Sequence, residues 1–179
     1  MEGYEQMIEK DVNLKPTITP YISEVYPILE HILYNIAVYR TISSFYPVND
    51  IPAIIEEPYR RDFWINTYNN AIQMAIIDWC KVFGSKYNND LHYSNHLNIE
   101  VVDLEQVKDS MTRFRNKYIA HKDNEPVSVP VLDGAIQAMF EFDEKIRELY
   151  DLNGYPGLKD CLETYMIRVQ DLMGIEERE

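Results

Sequence analysis

The stretch from Phe63 to Ser85 reads FWINTYNNAIQMAIIDWCKVFGS and carries the strongest helical pattern of the chain. Its apolar residues recur every three or four positions, which is the spacing of one face of an α-helix. Other apolar residues fall on different sides of the same helix, so we expect a central helix or one that also faces a partner subunit. We predict a helix from Tyr59 to Phe83, ended by Gly84. The predicted buried seam consists of Trp64, Tyr68, Ala71, Ile72, Ala75, Trp79 and Val82.

Polar residues interrupt this helix in two places. Asn66, Asn69, Asn70 and Gln73 lie in its N-terminal half and are expected to form a wetter face, or to line a ligand groove. Asp78 lies in the most apolar part of the helix, where a charge is costly unless it is paired. We consider two roles for this carboxylate: a structural pairing with an arginine or a tyrosine, or the orientation of a functional side chain.

One further helix is predicted before this helix in the sequence and one after it. A helix beginning at Thr19 and Pro20 and closing before Pro47 has one apolar stripe, and a third opens at Asp103. The stripe of the first consists of Ile22, Val25, Leu29, Ile32, Ile36 and Tyr39, and that of the third of Leu104, Val107, Met111, Phe114 and Tyr118.

The C-terminal third of the chain predicts two more helices, from about Val131 to Leu152 and from Leu158 to about Leu172. Pro126 and Pro130 separate the first of them from the third helix. The expected apolar sets are Leu132, Ile136, Met139, Phe140, Ile146, Leu149 and Tyr150, and then Leu162, Tyr165, Met166, Val169 and Leu172.

These patterns predict an all-α protein, a single-domain antiparallel bundle of about four to five helices. No strand pattern and no internal repeat is present. We divide the chain into an N-terminal arm over 1–18, a helical domain over 19–173 and a charged tail over 174–179.

Length and composition bound the class of protein. The chain of 179 residues is long enough for one domain with a substantial core, and its 14 Tyr, six Phe and two Trp supply the bulk. Cys80 and Cys161 have no metal-ligand spacing and are interpreted as buried free thiols. The N-terminus resembles no signal peptide, and no apolar run reaches the ~20 residues of a membrane helix. We therefore expect a cytoplasmic protein without a membrane partner.

The net charge is −13, which opposes general binding to nucleic acid. Five of the 17 basic residues nevertheless fall between Lys108 and Lys122, with Asp109 as the only acidic residue. An acidic body with one basic patch would admit RNA at one place only. The alternative is that these residues form the exposed face of an ordinary helix. The five are Lys108, Arg113, Arg115, Lys117 and Lys122.

This basic patch contains the stretch MTRFRNKYIAHKD, residues 111–123, in which Arg115 and Asn116 are followed by His121. On a straight α-helix six residues separate Arg115 from His121 by about 240° and roughly 9 Å of rise, so the two would not face each other. Three solutions are open: a kink or helix end near Ala120, the reach of the arginine, or a second copy of the chain.

The Arg-x5-His spacing resembles the signature of the HEPN superfamily, and RNKYIAHKD resembles the form found in abortive-infection-type HEPN proteins of bacterial defence. The preceding helix, with its aromatic start and its IIDWCKVF finish, is also similar. The resemblance covers roughly residues 20–150. It implies a HEPN-type bundle, a homodimer with a composite cleft, and a toxin-like or phage-defence role in which an antitoxin or another protein is a possible partner.

The resemblance also implies metal-independent cleavage of RNA, which carries its own 2′-OH nucleophile. A histidine can transfer protons near neutral pH, and an arginine can grip two phosphate oxygens. His121 is thus expected to transfer protons, Arg115 to stabilise the transition state, and Asn116 to position the phosphate or the histidine. RNA contacts are expected from Arg113, Lys117, Lys122 and Asp123, and Asp78 is a possible orienting carboxylate for Arg115 or His121. No cofactor, metal or DNA is implied.

Other interpretations compete with a nuclease. Arg115 could form an ordinary ion pair and His121 could cap a helix C-terminus. A catalytically inactive HEPN dimer that binds a nucleotide, RNA or a protein is the main alternative, and a purely structural helical adaptor is a third. His92, His96 and Glu100 have helical spacing for a metal site, but their surroundings have poor helix propensity, so we expect a loop.

Overall fold

The computed structural model describes residues 21–45, 58–84, 104–120, 129–152 and 156–172, with the side chains of 22, 45, 58–61 and 118–120 excepted. Over these ranges the regular structure is helical throughout and contains no strand, which confirms the predicted all-α bundle. The predicted arm and tail and the His92–His96 loop lie outside the described residues. The elements are a π-helical turn Tyr21–Val25, α1 Tyr26–Phe45, α2 Pro58–Phe83, α3 Leu104–Phe114 with a π-helical continuation Arg115–Ala120, α4 Leu132–Tyr150 and α5 Leu158–Leu172.

Local chemistry sets the helix ends close to the predicted positions. α2 ends at Phe83, where the Gly84 N–H donates to the carbonyl oxygen of Cys80 at 3.0 Å. A Cβ on residue 84 would lie 2.3 Å from that oxygen, so only glycine fits without movement of the backbone. α4 ends two residues earlier than predicted, because Asp151 adopts a left-handed conformation with φ 55° and its N–H donates to the carbonyl oxygen of Arg147.

Side-chain contacts give the directions of α1 and α2. The imidazole of His31, early in α1, contacts Asp78 late in α2, whereas Tyr39 in the second half of α1 stacks on Tyr68 in the first half of α2. The two helices are therefore antiparallel.

Contacts with α4 and α5 complete the bundle around α1. Arg40, late in α1, pairs with Asp133 at the start of α4, which makes these two helices antiparallel. At the start of α1 the Tyr26 hydroxyl lies 3.6 Å from the Cys161 thiol near the start of α5. Because Tyr34, two turns later in α1, contacts Tyr165 of α5, these helices run parallel.

The core lies where α1, α2 and α4 meet, and α3 and α5 close its sides. Trp79 is fully buried, and its indole N–H donates to the carbonyl oxygen of Ala135 in α4 at 3.1 Å. Phe83 packs edge-on against Phe142, with ring centroids 5.4 Å apart. The largest fully buried side chains are Trp79, Phe83, Phe114, Phe142, Leu29, Ile32, Leu33, Ile36, Ile76, Met111, Met139 and Ile146.

The buried set differs from the predicted seams at several positions. α1 buries Leu33, Ala37 and Ile42 in addition to its predicted stripe, because helices pack on more than one of its sides. Leu172 was predicted to be buried but is 80% exposed, and Leu149 is also exposed. A helical period continues to the end of a helix whether or not a neighbouring helix lies alongside it, and this is why the pattern misplaced Leu172.

A buried carboxylate ties three elements together. Asp143 of α4 accepts hydrogen bonds from the Tyr21 hydroxyl at 2.8 Å and from the Leu158 N–H, at the start of α5, at 3.1 Å. A carboxylate at a helix N-terminus also interacts favourably with the helix dipole. Asp143 thus fixes α5 and the first turn of the bundle to α4. None of the described helices is sufficiently long and apolar to cross a membrane.

Candidate functional site

The helical geometry of α3 changes at Arg115. The α-helix runs from Leu104 to Phe114, and the backbone continues as a π-helix from Arg115 to Ala120. Short π-helical segments are often found at functional sites. The angle and rise predicted between Arg115 and His121 assumed a regular α-helix and do not apply to this segment. The departure from α-helical geometry begins at Arg115, whereas a kink or helix end near Ala120 was one of the predicted solutions.

The guanidinium of Arg115 is held by the next residue. Its Nε–H donates to Oδ1 of Asn116 at 3.1 Å, and the arginine is half-buried while Asn116 is exposed. Within the described ranges, Arg115 forms no ion pair, and the bond to Asn116 is the only hydrogen bond of its guanidinium. The two terminal amino groups of the fork therefore have no partner in the part of the chain that is described.

The side of α2 that faces Arg115 carries Cys80. Burial raises the pKa of the Cys80 thiol from its ordinary value of 9.0 to about 11, while the positive charge of Arg115 and the Thr112 hydroxyl act in the opposite direction. Cys80 is thus a protonated, buried thiol near neutral pH, as its sequence context predicted. The charge of Arg115 acts on this thiol in the C-terminal part of α2 and favours its ionised form.

The other residues of the motif are only partly within the described chain. Arg113 is exposed and Lys117 half-buried, and both flank Arg115. His121, Lys122 and Asp123 lie outside the described residues, so the predicted meeting of Arg115 with His121 stays a prediction.

Asp78 binds neither an arginine nor a tyrosine among the described residues. Its Oδ2 lies 2.6 Å from Nδ1 of His31 on α1, and its Oδ1 accepts a hydrogen bond from the Lys81 ammonium at 2.5 Å. Two residues along an α-helix correspond to a rotation of about 200°, so Asp78 and Cys80 point to nearly opposite sides of α2. Asp78 therefore orients His31, and among the described residues it makes no contact with Arg115.

The cluster of His31, Asp78 and Lys81 combines a buried anion with two accessible nitrogen groups. The Asp78 side chain is 6% exposed, against 50% for His31 and 48% for Lys81. Because a carboxylate accepts hydrogen bonds, the His31 Nδ1–H donates to it, and Nε2 is the ring nitrogen left for other partners. This is the arrangement by which carboxylates fix the tautomer and direction of an imidazole.

His31 was missed in the sequence because nothing local distinguishes it. It falls on the polar side of the α1 pattern, 47 positions from Asp78. The only signal was indirect: a carboxylate predicted in an apolar seam needs a partner. A search for that partner among histidines as well as arginines and tyrosines would have included His31.

No group of three or more His, Cys, Asp or Glu side chains in the described helices is arranged to hold a metal ion. No protein-family model matches the chain, and the chain matches none of the curated proteins and none of the solved structures with which it was compared.

Proposed function

We propose that the protein is a metal-independent endoribonuclease of HEPN type that acts as a homodimer in bacterial defence or as a toxin. The proposal rests on the resemblance of residues 115–123 to the HEPN motif. The structural observation that supports it most is the half-buried Arg115, whose Nε is held by Asn116 while its terminal amino groups have no described partner. An arginine engaged in this way can present both terminal amino groups to a phosphate.

The reaction uses the nucleophile of the RNA. The 2′-oxygen attacks the adjacent phosphorus as His121 takes its proton, the bond from phosphorus to the 5′-oxygen breaks, and the leaving oxygen is protonated. Arg115 binds the non-bridging oxygens as negative charge accumulates on them, and Asn116 keeps the guanidinium in place. The products are a 2′,3′-cyclic phosphate and a 5′-OH.

The charge distribution is compatible with one RNA-binding place on an acidic protein. Exposed Arg113 and half-buried Lys117, two positions before and after Arg115 in the sequence, add positive charge to this segment, whereas the whole chain carries −13. Repulsion elsewhere would direct a polyanion to this segment. Lys122 and Asp123 are proposed to extend the contact beyond the described residues.

The net charge of −13 also favours a second candidate, a catalytically inactive HEPN dimer that binds a nucleotide, RNA or a protein partner such as an antitoxin. In this case Arg115 would bind a phosphate or a carboxylate without any cleavage. Light scattering tests what both candidates share, because a monomer in solution would contradict each of them.

The decisive experiment is incubation of the purified protein with mixed RNA in EDTA. We expect cleavage that the chelator does not affect, and a loss of about 100-fold or more in Arg115→Ala and His121→Ala. Arg115→Lys keeps the charge but loses the fork and should restore only part of the rate. Arg40→Ala is the control, because this arginine forms an ion pair with Asp133 at the α1–α4 contact.

Three results would separate the candidates. Cleavage lost in both motif variants and kept in Arg40→Ala supports the nuclease. RNA binding without cleavage, weakened by Arg115→Ala, supports the inactive module. Cleavage that persists in both motif variants would exclude this site.

A further inference from the structure

Asp78 is a buried carboxylate, but both of its partners lie at the surface. The Asp78 side chain is 6% exposed, whereas His31 and Lys81 are half-exposed. Burial of a carboxylate is unfavourable, and an apolar residue of similar size at such a position is often as stable as a buried ion pair, or more stable. The packing of α1 against α2 therefore does not account for this carboxylate, and its effect on the two surface groups is the better explanation.

The hydrogen bond to Asp78 decides which ring atom of His31 can react. Nδ1 lies 2.6 Å from Oδ2 of Asp78, so the proton is on Nδ1 and the lone pair is on Nε2. Because Nδ1 faces the buried carboxylate and the His31 side chain is 50% exposed, the opposite edge of the ring is open to solvent. The carboxylate also makes the ring more basic and stabilises the positive charge that the ring acquires when Nε2 forms a new bond. His31 is thus an oriented nucleophile at the surface.

Lys81 adds a positive charge next to this nucleophile. Its ammonium nitrogen lies 2.5 Å from Oδ1 of Asp78, so the ammonium group and the imidazole are bound to the two oxygens of one carboxylate. An ammonium group has three N–H donors, and those not used on Asp78 can bind a second anion. The pair therefore favours an electrophile that carries negative charge. A phosphoryl group is such an electrophile, and its bond to an imidazole nitrogen persists in water, whereas an acyl-imidazole is hydrolysed readily.

We infer that His31 is a phosphoryl acceptor, whose Nε2 takes the phosphoryl group from a phosphoramidate, a compound in which phosphorus is bonded to nitrogen. Asp78 is a positioning residue that directs Nε2 outward, and Lys81 binds the oxygens of the transferred group. This modification site does not rest on the proposed function, which uses Arg115 and His121 and forms no bond between the protein and phosphorus.

The exposure of His31 also favours a modification over the catalysis of a bound substrate. Catalytic groups act most effectively where water is excluded, and His31 lies open to water. A phosphoryl acceptor needs only that the donor reach Nε2 and that the product stay accessible. The class of donor follows from the product, because a phosphorylated imidazole is itself a phosphoramidate, and a phosphate ester holds its phosphoryl group too strongly to supply it.

The transfer is balanced without any further reactant. The lone pair of His31 Nε2 forms a bond to phosphorus, the bond from phosphorus to the donor nitrogen breaks, and the leaving amine keeps that electron pair. The ring becomes positively charged, and its Nδ1–H continues to donate to Asp78. The Lys81 ammonium group neutralises part of the negative charge on the phosphoryl oxygens. Nothing is oxidised or reduced in this step.

The test is incubation of the full chain with potassium phosphoramidate, followed by mass spectrometry at alkaline pH to locate the phosphoryl groups. The chain contains four histidines, so His92, His96 and His121 serve as internal controls for the ordinary reactivity of an imidazole. We expect His31 to be phosphorylated at least about tenfold faster than each of them. The modification should be lost in acid and retained in alkali, as a bond between phosphorus and nitrogen requires.

The position of the phosphoryl group on the ring distinguishes positioning by Asp78 from a merely structural contact. Because Nδ1 is bound to Asp78, the wild type should yield the Nε2 isomer, which phosphorus NMR separates from the Nδ1 isomer. Asp78→Asn should react about tenfold more slowly and yield both isomers. Lys81→Met should lower the rate by up to about fivefold, the value of a half-exposed ionic contact. Asp133→Asn is the matched control, because it removes a carboxylate that pairs with another basic residue of α1, and it should change neither the rate nor the isomer.

Circular dichroism checks that the variants fold, and the comparison of the four histidines in the wild type needs no variant. Phosphorylation that is fastest at His31, confined to Nε2 and slowed in Asp78→Asn supports the modification site. A His31 that reacts no faster than the other three histidines, or that carries the phosphoryl group on Nδ1, overturns it. Either result leaves the proposed function untouched, because RNA cleavage is measured separately in Arg115→Ala.

Discussion

Asp78 and Asp143 are two carboxylates buried to the same extent, each 4% exposed, yet their partners are of opposite kinds. Asp143 accepts hydrogen bonds from a tyrosine hydroxyl and a backbone N–H, both neutral donors inside the bundle. Asp78 binds an imidazole and an ammonium group, both half-exposed. Burial alone therefore does not distinguish a carboxylate bound by interior groups from one bound by half-exposed groups.

The difference lies in what each carboxylate would leave behind if it were removed. Without Asp143, the Tyr21 hydroxyl and the Leu158 N–H would remain in the interior with no acceptor. Without Asp78, the two partner groups could be hydrated where they are. Stability should thus depend strongly on Asp143 and weakly on Asp78.

The largest effect on stability is expected from Asp143→Ala. Two buried donors would lose their acceptor, at about 1–3 kcal/mol each, and α5 would lose the cap of its first turn. We expect the free energy of unfolding to fall by about 3–4 kcal/mol, measured by urea unfolding followed by circular dichroism. A loss no larger than that of Asp78→Ala would contradict the comparison.

A smaller effect, and one that depends on pH, is expected from Tyr21→Phe. Burial, followed by the charge of Asp143 and the hydrogen bond to it, raises the pKa of Tyr21 well above its ordinary value of 10.0. The folded protein thus holds this proton more tightly than the unfolded chain, and the stabilisation is complete below pH 10 and decreases as the pH rises above it.

At neutral pH, Tyr21→Phe should cost about 1.5–3 kcal/mol of unfolding free energy, the value of a hydrogen bond to a charged group. Above pH 10 the difference between wild type and variant should shrink by as much as about 1.4 kcal/mol per pH unit. Urea unfolding at a series of pH values measures the difference. A gap that stays constant through this range would show that Tyr21 does not hold its proton as described.

Asp78→Asn should change stability little. The asparagine keeps the volume and can still accept from one partner, while the other is exposed enough to be hydrated, so we expect a change within about 1 kcal/mol. The same urea series used for Asp143→Ala provides the measurement. A loss of about 3 kcal/mol or more would show that the fold depends on Asp78 as it depends on Asp143, and would contradict the comparison.

The smallest effect is expected from Asp133→Ala, which breaks the ion pair with Arg40 at the surface between α1 and α4. Asp133 is largely exposed, and exposed pairs contribute about 0–1 kcal/mol. We expect a change in unfolding free energy within about 0.5 kcal/mol. A larger loss would indicate that the α1–α4 contact depends on this pair, and Arg40→Ala could then no longer serve as the control for the Arg115 and His121 variants.

Much of the fold was predictable because helix formation is decided over a few turns. The bounds of α5 were predicted to the residue, and those of α2 to within one residue, because Gly84 and the residues around Gly157 act on adjacent backbone groups. The candidate site was less predictable. A six-residue spacing predicted Arg115 as a functional residue, but a spacing does not specify the hydrogen bond of its guanidinium to Asn116 or the change to π-helical geometry at this residue.

The sequence by itself determined the helical class, the five helices and most of the residues that face the core, because a period of 3.6 residues is a local property of the chain. Tertiary structure alone decided that Asp78 meets His31 across 47 positions, that Asp143 meets Tyr21 across 122, and that Leu172 is left exposed. The physical reason is that hydrophobic burial specifies which face of a helix turns inward, but not which polar group of another helix lies opposite a given carboxylate.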